Sequence, residues 1–243
     1  MSGSGRCFLL LHGLGATGAV WGRVEALLGE RGAGRSLAPD LRGHGTARHG
    51  SDYSLDAIAD DLVPSLAGER EIWLIGHSFG GYVALALASR RRALAVRGVL
   101  TVGSRVVFSD EDRAKAEELA RRPARVFATS AEAVDRYRKV SGLDVTLAPD
   151  ESLLARGTTA VPGGFRLAAD PATLAARVPP FGALLAAASC PVLVARGEHD
   201  PLVSSAELKA VAPAAIDVPG VGHNLHVEAP ATLVGLIDRM LAL

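Results

Sequence analysis

Ser78 stands in the run Gly76, His77, Ser78, Phe79, Gly80, which fits the pattern G-x-S-x-G. A serine hydroxyl is a poor nucleophile at neutral pH. It needs a base within hydrogen-bond reach, and that base needs an anion to fix its tautomer and to stabilise its protonated form. Two later loops offer such groups: Arg196-Gly197-Glu198-His199-Asp200-Pro201 and Pro219-Gly220-Val221-Gly222-His223-Asn224. Taken in chain order, Ser78, Asp200 and His223 are a candidate nucleophile, orienting carboxylate and general base. Glu198 competes with Asp200, and His199 and His226 compete with His223. His223 follows a glycine in G-x-G-H, a small-residue loop able to carry an imidazole over a sheet edge. His226 reads as a packing residue, and His77 and His12 as structural.

The elements around these residues decide whether they can meet. Residues 72–75 (IWLI) form a short apolar run suited to a buried parallel strand, and residues 82–88 are an Ala- and Leu-rich helical run. The six residues between them must reverse the chain, so Ser78 is expected on a strained strand-to-helix turn with no room for a Cβ at Gly76 or Gly80. The helix that follows places unpaired N–H groups and a positive dipole end beside the hydroxyl. Residues 7–11 (CFLLL) read as the first strand, running into His12, Gly13, Leu14, Gly15, Ala16, Thr17 and Gly18. This glycine-dense loop leaves backbone N–H groups free to face a ligand.

Beyond these, residues 20–30 read as a helix closed by Gly32 and Gly34, and residues 35–38 as a strand leading into Pro39, Asp40, Leu41, Arg42, Gly43, His44, Gly45 and Thr46. Asp40 and Arg42 are expected to pair and hold that turn. Ser54 caps a helix over residues 56–66. Arg90, Arg91 and Arg92 read as the solvated, dipole-complementing end of the helix after Ser78. Residues 98–102, 191–195 and 215–218 complete the strands, and a final helix starts near Pro230. Between residues 105 and 189 no strand-like run appears. Helical segments there carry start signals at Ser109, Ser130, Asp150 and Asp170-Pro171, with Pro162-Gly163-Gly164 and Pro179-Pro180 as loop corners or hinges.

The elbow, the H-G-x-G loop, the D-x-R-G-x-G loop and the order Ser, Asp, His together resemble the α/β-hydrolase family. That resemblance implies an α/β fold, a mostly parallel sheet with helices on both faces, and an active site beyond the carboxyl ends of the strands. It implies a core of residues 1–104 and 190–243, with residues 105–189 inserted as a helical cap. The family's sheet usually opens with two strands ahead of the oxyanion-loop strand. Only six residues precede Cys7, so a reduced sheet of about six parallel strands is expected, with an edge that a partner subunit could cover. By the same resemblance the N–H groups of Leu14 and Phe79 form the oxyanion hole. Trp21, Val106 and Phe108 are expected to line an apolar substrate pocket.

Relatives with aspartate at the elbow form alkyl esters. Serine here points to acyl chemistry: a serine hydrolase acting on a small carboxylic ester, lactone or related acyl compound. The alternative is a non-hydrolytic use of the same site, as a lyase, a C–C bond cleaving enzyme or a ligand receptor. No cofactor or metal is expected; Cys7 and Cys190 are the only cysteines and lack metal-ligand spacing. The formal net charge is +0, with 26 basic and 26 acidic residues, which argues against nucleic acid or an anionic membrane as a partner. The opening MSGSGR has no apolar segment and no run approaches a membrane span, so a cytoplasmic protein, monomer or homodimer, is the expectation.

Overall fold

The computed structural model describes residues 5–90, 93–145 and 151–243. Its elements in order are β1 (Cys7–Leu11), α1 (Gly22–Glu30), β2 (Arg35–Leu37), α2 (Leu55–Leu62), β3 (Ile72–His77), α3 (Phe79–Arg90) and β4 (Val96–Val102). Then follow α4 (Asp110–Arg121), α5 (Ser130–Ser141), α6 (Glu151–Ala155), β5 (Thr158–Val161), β6 (Gly164–Leu167) and α7 (Phe181–Ala187). The chain ends with β7 (Val192–Gly197), α8 (Ser205–Val211), β8 (Ile216–Val218), α9 (Leu225–Glu228) and α10 (Pro230–Leu241).

The main sheet has six strands in the order β2-β1-β3-β4-β7-β8, every neighbouring pair parallel. Helices pack on both faces of the sheet, and the central strands β1 and β3 are buried along their whole length. Alternation splits β1 between two cores. Cys7, Leu9 and Leu11 pack with α2, α3, α7 and α8, whereas Phe8 and Leu10 pack with α1, α9 and α10. The expected six-stranded parallel sheet is the observed one. Among the described residues no helix is long and apolar enough to cross a membrane.

Several local expectations need correction. The stretch between β4 and β7 contains a strand pair: β5 and β6 run antiparallel around Pro162 and Gly163, with Gly163 at φ +87°. The Pro-Gly corner is therefore a hairpin turn, of the kind a positive-φ glycine permits. Helix α5 is capped by Thr129, one residue before the serine proposed from sequence. The Thr129 hydroxyl accepts from Glu132 N–H while the Glu132 carboxylate accepts from Thr129 N–H, a capping box. Ser109 caps α4 in the same way with Asp112. Pro171–Ala175 is a single 3₁₀ turn capped by Asp170 in place of a full helix. The Asp150 start signal, and Arg91 and Arg92 of the arginine triplet, lie outside the described residues; Arg90 pairs with Asp56.

Asp40 and Arg42 are both structural, yet they do not pair with one another. The Asp40 carboxylate accepts from Gly18 N–H (2.8 Å), from Thr46 N–H and Oγ1 (2.9 Å each) and from Arg156 Nη2 (3.2 Å). Burial pushes its pKa up, but the hydrogen bonds from Thr46 and Gly18 outweigh that and hold it below the usual carboxylate value. Arg42 is buried and grips Asp61 through two nitrogens (2.6 and 2.7 Å) and the carbonyls of Asp52 and Ala57 (2.9 Å each). Asp40 is taken up by the Gly18 and Thr46 loops and Arg42 by the start and body of α2, so each is satisfied by a different neighbour.

Candidate active site

The turn between β3 and α3 is as tight as its glycines require. A Cβ on Gly76 would strike the backbone of Gly80 and Gly81, and one on Gly80 would strike the carbonyls of Leu11 and His12. Ser78 has φ +51°, the one non-glycine positive φ among the described residues. Such a conformation costs about 1–3 kcal/mol and survives only where the surroundings overdetermine it. Here Ser78 N–H donates to Val102 O (2.8 Å), and Ser78 O accepts from Gly81 N–H (3.0 Å) and Ser104 Oγ (2.9 Å).

Beyond the carboxyl ends of β7 and β8 the other two residues meet. His223 Nδ1 lies 2.8 Å from Asp200 Oδ2, and the Asp200 side chain has no exposed surface. Asp200 Oδ1 accepts from Leu202 N–H (2.8 Å), so both carboxylate oxygens are engaged. Glu198 turns away and accepts from Gly220 N–H (2.9 Å), and His199 stands in solvent beside it. Asp200 is thereby the carboxylate that faces the imidazole. Ser78 and His223 line one cavity of about 400 Å³, together with Leu14 and Phe79. Phe79 is the first residue of α3, where a backbone N–H has no intrahelical acceptor.

Two loops are braced by residues the sequence reading did not single out. The carboxylate of Glu228, in α9, accepts from Gly222 N–H (2.6 Å) and Asn224 N–H (2.9 Å), clasping His223 from both sides. Arg196 Nη2 donates to the carbonyls of Glu198 and Asp200 (3.0 and 3.2 Å) while Nη1 meets Asp217 (2.9 Å), which holds the Asp200 loop. Charged residues near a suspected site are a signal, but their bonds run to backbone groups that no motif specifies. Gly103 matters as well: a Cβ there would press on His223 and Asp200.

Neutral imidazoles support the floor. His12 Nε2 accepts from Leu41 N–H (2.9 Å) and His44 Nε2 from Gly15 N–H (3.1 Å), so each ring carries its proton on Nδ1, facing Gly13 O and Arg42 O. Burial, with a smaller push from His44, takes the His12 pKa down to about 3. His77 sends Nε2 to the carbonyl of His223 (3.0 Å), and burial carries its pKa well below the ordinary value. His226 packs on His77 (centroids 4.3 Å apart) and Trp21 (4.7 Å). Neither of its ring nitrogens has a hydrogen-bond partner among the described residues, and burial, then His223, takes its pKa to about 3.

These rings set an acid limit. A histidine with a depressed folded pKa binds its proton only after unfolding, so its stabilisation is complete above about 6.5 and is lost as pH falls toward about 3. Each such ring adds a slope of about 1.4 kcal/mol per pH unit within that window. His226→Leu removes one ring without stranding a partner. Urea unfolding from pH 7 to pH 5 is expected to show a shallower loss of stability in the variant. Equal slopes would mean that the His226 ring already takes up a proton in the folded protein.

Of the residues expected in the pocket, Phe108 lines the cavity and Trp21 and Val106 do not. Trp21 is fully buried under the sheet with Phe8 and His226, because the 3₁₀ turn at Gly18–Trp21 directs it inward. Val106 packs against the opposite core. Tyr82, Leu174, Val178 and Leu202 supply apolar wall in their place, and charged residues of the segment after β4 form a rim.

Comparison with known proteins shows the family. A model of the Alpha/beta hydrolase family matches residues 8–236. The chain belongs to that family. It is similar to 2-(acetamidomethylene)succinate hydrolase of Mesorhizobium japonicum, 28% identical over 256 residues, covering 98% of this chain and 89% of that one. The crystal structure of an E-2-(acetamidomethylene)succinate hydrolase superposes with a TM-score of 0.79 at 24% identity, covering 99% and 93% of the two chains. Identity is higher over a shorter stretch of a Mycobacterium bovis protein, 39% over 104 residues. That is 41% of this chain, which spans 30% of that relative's length. The α/β-hydrolase chain thus has hydrolases among its neighbours along its whole length.

Proposed function

We propose that this α/β-hydrolase is a serine hydrolase that cleaves a small carboxylic ester, lactone or related acyl compound through an acyl-enzyme intermediate. One observation carries the reading: His223, fastened to the buried Asp200 at 2.8 Å, borders the same cavity as a serine held at positive φ on a turn closed by glycines. Ser78 Oγ attacks the carbonyl carbon and passes its proton to His223 Nε2. The oxyanion that forms is met by the N–H groups of Leu14 and Phe79. The tetrahedral intermediate collapses, expelling the alcohol with the proton from His223 and leaving the acyl group on Ser78. Water then attacks by the reverse sequence and releases the acid. Asp200 holds the imidazole with its proton on Nδ1 and stabilises the cation it becomes. An oxyanion donor typically contributes about 3 kcal/mol to such a transition state. On this reading residues 105–189 act as the cap, since α4 and the Pro171–Ala175 turn supply walls of the cavity.

A fluorophosphonate probe tests it. Stoichiometric labelling of the folded protein that disappears in Ser78→Ala is the expected result. Intact, folded protein that stays unlabelled would move the site to a non-hydrolytic role.

A further inference from the structure

The cavity has an apolar interior and a charged mouth. Four cations line it, Arg105, Arg113, Lys115 and Arg177, against two carboxylates, Asp112 and Glu117. Two of the cations are spoken for: Arg105 meets Asp112 at 2.6 Å and Arg177 meets Glu117 at 3.0 Å. Arg113 and Lys115 have no carboxylate within salt-bridge distance among the described residues, and both face solvent. Arg113 lies over the Phe108 ring at 5.7 Å, with Arg105 over the same ring at 5.2 Å, which fixes a guanidinium at the wall. The chain as a whole carries no formal net charge, so a net positive mouth is a local feature.

A neutral ester has no use for two unpaired cations at the entrance. A substrate bearing its own anion does, because a concave, low-dielectric mouth of one sign concentrates ligands of the other. Resting on the serine hydrolase reading above, we infer that the preferred substrate is an acyl compound carrying a carboxylate remote from the scissile carbonyl, met by Arg113 and Lys115 while its apolar chain fills the cavity. Both cations stand in water, so they act by selection and steering, and salt weakens them.

The test compares the p-nitrophenyl half-ester of adipic acid with p-nitrophenyl hexanoate, esters of equal chain length that differ by the terminal carboxylate. A second pair, phenyl hexanoate and para-carboxyphenyl hexanoate, puts the carboxylate on the leaving group and tells which end meets the rim. The charged member of at least one pair is expected to have a kcat/KM higher by about fivefold at low salt, the scale of two exposed ion pairs. That ratio is expected to fall toward one in Arg113→Gln/Lys115→Gln, and in wild type in about 0.5 M NaCl, where the screening length is about 4 Å. Thermal unfolding of the double variant verifies its fold. Ratios near one for both pairs in wild type, or a preference that survives the double substitution, overturn the inference. The hydrolase reading is judged apart from this, by turnover of hexanoate esters that vanishes in Ser78→Ala. A folded protein that cleaves no ester of either pair removes both.

Discussion

Asp200→Asn is expected to lower kcat toward an activated ester by on the order of 10⁴, with KM and thermal stability little changed. The direction follows from the two bonds of the carboxylate. Oδ1 accepts from Leu202 N–H at 2.8 Å and Oδ2 faces His223 Nδ1 at 2.8 Å. An amide keeps the first bond only by placing its oxygen on Leu202, which turns its NH₂ group toward the ring. Nδ1 must then accept, the ring proton moves to Nε2, and the nitrogen that should take the serine proton has no free lone pair. Shape is retained while the tautomer is inverted. A residue that only propped up the loop would lose stability and leave kcat alone, so the split between kcat and the unfolding midpoint separates the two roles. An asparagine variant with wild-type kcat would disconnect Asp200 from the chemistry.

The site residues are largely legible in the sequence. Ser78, Asp200 and His223 each follow an apolar strand run, and short loops after parallel strands have one place to go, the carboxyl edge of the sheet. The elbow is legible because its glycines sit in one short run, although only the Gly76 collision, with Gly80 and Gly81, is local; that of Gly80 is with Leu11 and His12 at the end of β1. Trp21 was not legible because an aromatic after the glycine-rich loop at residues 12–18 can face either the cavity or the sheet, and the direction is set by a 3₁₀ turn that has no strong sequence mark. The β5–β6 hairpin failed because its strands are four residues each and nearly all half-buried, so they lack the alternation by which strands are recognised. Glu228 and Arg196 were invisible for a different reason: they serve backbone N–H and carbonyl groups, whose positions are a product of the fold. Of the rim cations, Arg113 and Lys115 lie on α4 and Arg105 and Arg177 on loops, and no motif links them in the sequence. Their convergence on one mouth is decided by how the segment after β4 lies over the sheet.

Gly80→Ala is expected to be severely damaging, costing about 4 kcal/mol or more and in practice preventing folding. The added Cβ would run into the carbonyls of Leu11 and His12, where β1 leaves the sheet. Backbone atoms cannot rotate away, so relief requires lifting α3 from β1 and β3. Helix α3 is buried along nearly all its length, from Phe79 to Ser89, and lifting it would open the core that Leu9, Leu11 and Leu74 share with Val83 and Leu87. A cavity-scale loss of packing would be added to the collision. Gly235→Ala is the matched control: it lies within α10, with nothing within 4 Å of an added Cβ, and there alanine is expected to gain up to about 1 kcal/mol from helix propensity. Urea unfolding of the two variants beside wild type reads both signs at once. A Gly80→Ala protein as stable as wild type would show that α3 can stand off from β1, and the crowding that holds Ser78 at positive φ would no longer explain its strained pose.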